Sequence, residues 1–157
     1  MQLDHHWIAQ RIPHRGSMCL LDRVLHWDDT AIRCSANGHR DREHPLRAHG
    51  RLSAACGIEY AAQAMAVHGA LRDTNSSVAT AAAPRMGMLA SVRGVELRVA
   101  RLDDIETELL IEARRVAGDL HAIGYEFTVC AGVRELLSGR ATVILDADAA
   151  GIGGVDE

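Results

Sequence analysis

The sequence predicts an α+β fold, an antiparallel sheet of about five to six strands wrapped around one central apolar helix. Two observations carry that expectation. Residues 53–71 form a long run of Ala, Ile, Met, Val, Gly and Cys with no polar face, as in a helix enclosed by its own domain. The second half of the chain holds four segments that alternate with the period of a strand, separated by turns rich in Gly or Asp. A parallel sheet would need a helix at each crossover, and the chain offers too few.

Taken in order, residues 3–10 predict a short helical turn, which Ile12-Pro13 breaks, and residues 13–18 read as a loop. Residues 18–27 and 30–36 predict two strands joined by an Asp28-Asp29 turn, a hairpin. Residues 37–43 are polar and turn-like. The helix follows, with Ser53 as its N-cap and Gly69 near its end. Residues 72–83 predict a loop closed by Pro84. In residues 87–99, Arg93, Val95, Leu97 and Val99 face one way; Thr107, Leu109, Ile111 and Ala113 do the same in the next strand. Ile123, Tyr125, Phe127 and Val129 alternate cleanly, as do Leu137, Gly139, Ala141, Val143 and Leu145.

At 157 residues this is one domain, 1–146, with a small, Gly-rich, acidic tail at 147–157 that is expected to fray. A net charge of −4 argues against nucleic-acid binding. The central helix is too short and too Ala-rich for a membrane span. The N-terminus lacks the charged and apolar regions of a signal peptide. Four isolated cysteines with no CxxC pair fit free thiols in a reducing cytoplasm rather than a disulfide framework or a zinc site. The expected location is therefore cytoplasmic.

Glu59 and Gln63 are the two polar residues that stand out within the apolar helix, four apart and so on one face. A buried carboxylate costs several kcal/mol unless it is paired, protonated or used, which makes Glu59 the leading candidate for chemistry. Gln63 reads as a hydrogen-bonding neighbour or a substrate contact. His44 and His49 lie in the polar run before the helix: the first as a solvated histidine or a base, the second as a turn residue beside Gly50 or a substrate contact. His5 and His6 lack a third metal ligand. His14 reads as structural, and His68 as a cation favoured by the helix end. Cys56 reads as a buried thiol. Arg85, Arg93, Arg98 and Arg101 form either a basic surface for an acidic partner or solvated strand edges.

Three segments resemble the hotdog-fold 3-hydroxyacyl-acyl carrier protein dehydratases. Residues 12–24 (IPHRGSMCLLDRV) are similar to that family's opening motif, residues 59–63 (EYAAQ) to its central-helix motif, and the strand meander ending in LLSGRATVIL to its C-terminal half. The GIEY segment, residues 57–60, more closely resembles the small dehydratase-like subunits of aryl polyene pigment pathways. The resemblance implies a hotdog fold, a homodimer or heterodimer with another hotdog subunit whose sheets join edge to edge, and an acyl carrier protein partner. It implies an active site at the dimer interface, where a His from one subunit faces a helix carboxylate of the other. Carried onto this chain, Glu59 is the acid and His44 the base, with Gly57, Gln63 and His49 near the substrate; no cofactor is implied. His44 stands one position further from Glu59 than in the family, and Ser53-Ala54 replaces its Pro-Gly.

The chemistry explains the residue types. Dehydration removes a proton from the carbon beside the thioester carbonyl and expels hydroxide. A neutral His can take the proton, and a carboxylic acid kept protonated by burial can protonate the leaving hydroxyl. Three functions stay open: an autonomous dehydratase, a non-catalytic hotdog subunit that pairs with and stabilises a catalytic dehydratase, and an acyl thioesterase in which Glu59 activates water.

Overall fold

The computed structural model describes residues 3–12, 16–75 and 87–145. Residues 76–83 of the predicted 72–83 loop, with Pro84 and Arg85, the position of His14 and the tail at 147–157 lie outside the described residues.

Helix α1 (His5–Ala9) starts where the Asp4 carboxylate accepts from the Trp7 N–H at 3.0 Å. A 3-10 turn, Gly16–Met18, follows within the predicted loop. Strand β1 (Arg23–Trp27) begins later than the expected residue 18. The reason is that Cys19, Leu20 and Leu21 are all buried rather than alternating, and the Leu20 N–H is taken by a helix side chain. β1 pairs antiparallel with β2 (Ala31–Ala36) through the predicted turn, in which one Asp28 oxygen accepts from the Thr30 and Ala31 N–H groups.

Ser53 caps as expected, its hydroxyl accepting from the Ala55 N–H at 3.2 Å, but what it caps is a 3-10 turn, Ala54–Cys56. Helix α2 (Gly57–Asn75) continues from there and runs well past Gly69, so that residues 72–75, expected in a loop, are helical. A single Gly does not stop a helix whose next residues include the buried Ala70 and Leu71.

Strands β3 (Gly87–Leu97), β4 (Leu109–Gly118), β5 (Ala122–Ala131) and β6 (Arg134–Leu145) complete a six-stranded, wholly antiparallel sheet in the order β1-β2-β4-β5-β6-β3. The inward alternation of β4 from Leu109 onward and of β5 is as predicted: Leu109, Ile111 and Ala113, then Ile123, Tyr125, Phe127 and Val129, are all buried. Thr107, expected to share that face, is exposed and precedes the strand. With Tyr60, Ala61, Ala64, Val67 and Leu71 from α2, they make the core. β3 departs from its expected alternation. A bulge between Arg93 and Glu96, with Gly94 at φ 63°, shifts the phase, so Val92 and Val95 turn inward while Arg93 and Leu97 are exposed. No helix among the described residues is long and apolar enough to cross a membrane.

Candidate functional site

Helix α2 is not enclosed on all sides. Its residues Glu59, Ala62, Ala66 and Gly69 fall on one stripe, are only half-buried, and form one wall of a cleft of about 580 Å³. Small side chains at 62, 66 and 69 leave the space; Leu89, Ile123, Tyr125, Val143 and Leu145 of the sheet form the opposite wall. Its volume is in the range of small-molecule sites. The Ala/Gly stripe on the face of Glu59 was visible in the sequence, but the uniform apolarity of the run concealed it.

Glu59 thus stands at the cleft, half-buried rather than deep in the core. It is held by Gln63, which is fully buried and whose amide is oriented by its partners. Gln63 Oε1 accepts from the Leu20 N–H at 2.8 Å; Nε2 donates to the Met18 carbonyl at 2.7 Å and to Glu59 Oε2 at 3.1 Å. The Leu20 N–H fixes which end of the amide is oxygen. Gln63 therefore spends its polar atoms on neighbours, joining the opening segment to the helix and aiming the carboxylate.

The other sequence candidates lie apart from this cleft. His44 is 7% exposed. Its Nδ1 accepts from the Leu46 N–H at 3.1 Å, so the ring proton sits on Nε2, which donates to the Tyr60 hydroxyl at 2.9 Å. Burial lowers its pKa and keeps it neutral. Both ring nitrogens are engaged within the chain. His49 is exposed at φ 54°, followed by Gly50 at φ 77°, between Ala48 and Arg51, which exchange backbone hydrogen bonds. Those are the dihedral signs of a type I′ turn. Gly57 is buried where α2 crosses β6: a Cβ there would lie 2.6 Å from Leu137 Cδ2. Cys56 is a half-buried free thiol whose pKa burial raises.

Sequence reading missed a polar group at the opposite end of the cleft. His68, expected as a helix-end cation, is fully buried because α2 continues beyond it. Its Nε2 donates to the Asp28 carbonyl at 2.8 Å, and its Nδ1 accepts from the Tyr125 hydroxyl at 2.7 Å. Burial lowers the His68 pKa and pushes Tyr125 up to about 12. Tyr125, Arg72 and Arg115 line the cleft here. The signal for this group was weak: Tyr125 reads as an ordinary inward strand residue. Of the expected basic surface, Arg98 pairs with Glu96 and Glu135 and Arg101 with Asp103, while Arg93 is exposed on β3.

An antiparallel sheet wrapped round one long helix, with a helix carboxylate facing a cleft between them, is the hotdog class. Within that class the chain belongs to the ApeP-like dehydratase family: the family model described as ApeP dehydratase matches residues 6–152. Among solved structures it is similar to the dehydratase heterocomplex ApeI:P from Xenorhabdus doucetiae, with 22% identity, TM-score 0.81, and 96% of this chain and 97% of that chain covered. It is also similar to a mutant thioesterase from Pseudomonas aeruginosa, with 14% identity, TM-score 0.61, and 90% and 93% covered. A mutant thioesterase from Staphylococcus aureus is a third, with 12% identity, TM-score 0.55, and 78% and 90% covered. These likenesses carry the fold. No curated protein matches the chain by sequence.

Proposed function

We propose that this chain is one subunit of a dehydratase that acts on 3-hydroxyacyl chains carried by acyl carrier protein, in fatty-acid-like or polyene pigment synthesis. The observation that carries the reading is Glu59, held by Gln63 at one end of a cleft whose middle is lined by apolar side chains. In its acid form Glu59 gives its proton to the departing hydroxyl, which leaves as water. A base takes the proton from the carbon beside the thioester carbonyl, and the electron pair of that C–H bond becomes the new double bond. The one basic lone pair of His44, on Nδ1, is taken by the Leu46 N–H, while Nε2 carries the proton given to Tyr60. His44 therefore acts as a base only after releasing Leu46; otherwise the base comes from a partner subunit.

The same engagement of His44 favours a second reading, in which this chain mainly supports a catalytic hotdog partner. The dehydratase heterocomplex similar to this chain points the same way. The long edge strand β3 suits pairing with such a subunit. It ends the sheet and exposes Met88, Leu89 and Leu97, whereas the opposite edge, β1, is short and bridged by Asp4.

The test is a mass-spectrometric assay of a 3-hydroxyacyl carrier protein with the purified chain, alone and with a second hotdog subunit. Under the first reading Glu59→Gln lowers dehydration by about 10²-fold or more. Under the second, the pair dehydrates equally well with Glu59→Gln. A free acid in place of an enoyl thioester means thioester hydrolysis and overturns both.

A further inference from the structure

The cleft is not uniform along its length. It follows α2 from Glu59 to Arg72, which at the rise of a helix is about 20 Å. Its middle is Ala62, Ala66, Gly69 and sheet side chains, and its far end is charged and polar. There the Arg72 Nε is buried with no hydrogen-bond partner among the described residues. Arg115 and Tyr125 line the same end. Tyr125 donates its proton to His68, so its oxygen is left with acceptor capacity only. Of the two carboxylates at this end, Asp119 is committed to the turn, accepting from the His121 and Ala122 N–H groups; Asp73 is the other. Both guanidinium groups act on the Tyr125–His68 pair, adding to the burial that chiefly depresses the His68 pKa. A buried guanidinium N–H without an acceptor is a costly arrangement in a folded protein. Among the described residues, no oxygen meets that N–H.

We propose that the far end of the cleft, through Arg72 assisted by Arg115, recognises an acyl chain whose terminus carries an oxygen acceptor, with a carboxylate favoured over a hydroxyl and a methyl terminus worst. This rests on the reading of the cleft as an acyl site, and it adds that the subunit selects chains by the end remote from the thioester. Arg72 is then a specificity-determining residue about 20 Å from Glu59. A planar guanidinium suits that role because it can grip a carboxylate with two N–H groups.

The experiment is equilibrium binding by calorimetry, using the full-length protein with Glu59→Gln so that no turnover intervenes. Three carrier-bound chains of equal length end in carboxylate, hydroxyl and methyl. The carboxylate-ended chain is expected to bind about tenfold more tightly than the methyl-ended one. Arg72→Met removes the difference, and Arg72→Lys, which keeps the charge without the Nε–H, restores part of it. Unchanged unfolding midpoints in both variants show that the fold is intact; should Arg72→Met unfold, the order of the three chains on the Glu59→Gln protein decides alone. Equal binding of all three, or a preference that survives Arg72→Met, overturns the inference and leaves the dehydratase reading standing. Binding of none of them overturns both.

Discussion

Gln63 sets the position of the one acidic side chain that sequence and structure both single out. Its amide satisfies two backbone groups of the opening segment and one oxygen of Glu59, with no solvent to substitute for it. Gln63→Leu keeps the volume and removes all three bonds. It orphans the Leu20 N–H and the Met18 carbonyl and is expected to destabilise the fold by about 2–4 kcal/mol, read as a lower urea midpoint at unchanged slope. Any dehydration falls as well, because Glu59 loses its orienting donor; full stability would show that water replaces the amide. The Glu59–Gln63 pair was legible because residues four apart on a helix share a face. The other half of Gln63's role was not, since Leu20 is 43 positions away and nothing local in the sequence links the two. The engagement of His44 by Tyr60 escaped notice for the same reason: Tyr60 reads as apolar bulk in the helix until its hydroxyl is seen 2.9 Å from the ring.

At the scale of elements, α2 determines what the sheet can do, and Gly57 determines how closely α2 sits. Alanine is the better helix former by about 1 kcal/mol, so on propensity alone Gly57→Ala stabilises. The structure reverses the sign. The new Cβ would meet Leu137 Cδ2 at 2.6 Å and Cδ1 at 2.9 Å, and Leu137 is itself fully buried, so it has to change rotamer inside the core. We expect a loss of about 1–3 kcal/mol, seen as a lower thermal midpoint; a raised midpoint would mean that the helix lifts off β6 without penalty. The helix was legible from composition, but its ends were not, because Gly69 looks like a terminator and the chain continues through it. β4 and β5 were legible because both keep strict period-two burial over their inward positions. β3 was not, because a bulge at Gly94 changes which residues face inward, and a bulge leaves only an isolated glycine as its signature.

Across the whole molecule, three neutral histidines fasten distant pieces of chain, and this couples the fold to pH. His39 is fully buried with Nε2 against the Ile105 carbonyl at 2.9 Å; His44 joins the preceding loop to α2 through Tyr60; His68 joins α2 to β5 and to the β1–β2 turn. Burial is the leading reason that all three pKa values lie below the ordinary histidine value. The nearby charges are mixed: Arg40 and Asp103 act on His39, Asp41 and Arg47 on His44, and Arg72, Arg115 and Asp28 on His68. In the unfolded chain each takes a proton near pH 6.5, while in the folded chain each stays neutral to lower pH. The unfolded state therefore holds more protons in that window, so stability rises with pH across it and is lost as pH falls below about 6.5. A second loss follows in stronger acid. The Asp103 carboxylate is held well below the usual range, chiefly by Arg101, and also accepts from the Leu52 N–H. Its contribution is complete above about pH 4 and disappears as pH falls further. Urea midpoints measured from pH 8 downward should hold level to about pH 7 and then decline, by at most about 1.4 kcal/mol per pH unit for each histidine. His68→Gln, which removes one titrating ring, should make that decline shallower without shifting the later loss. A midpoint level from pH 8 to pH 5 would mean that these rings accept protons in the folded state, and the neutral tautomers assigned to His39, His44 and His68 would then be wrong.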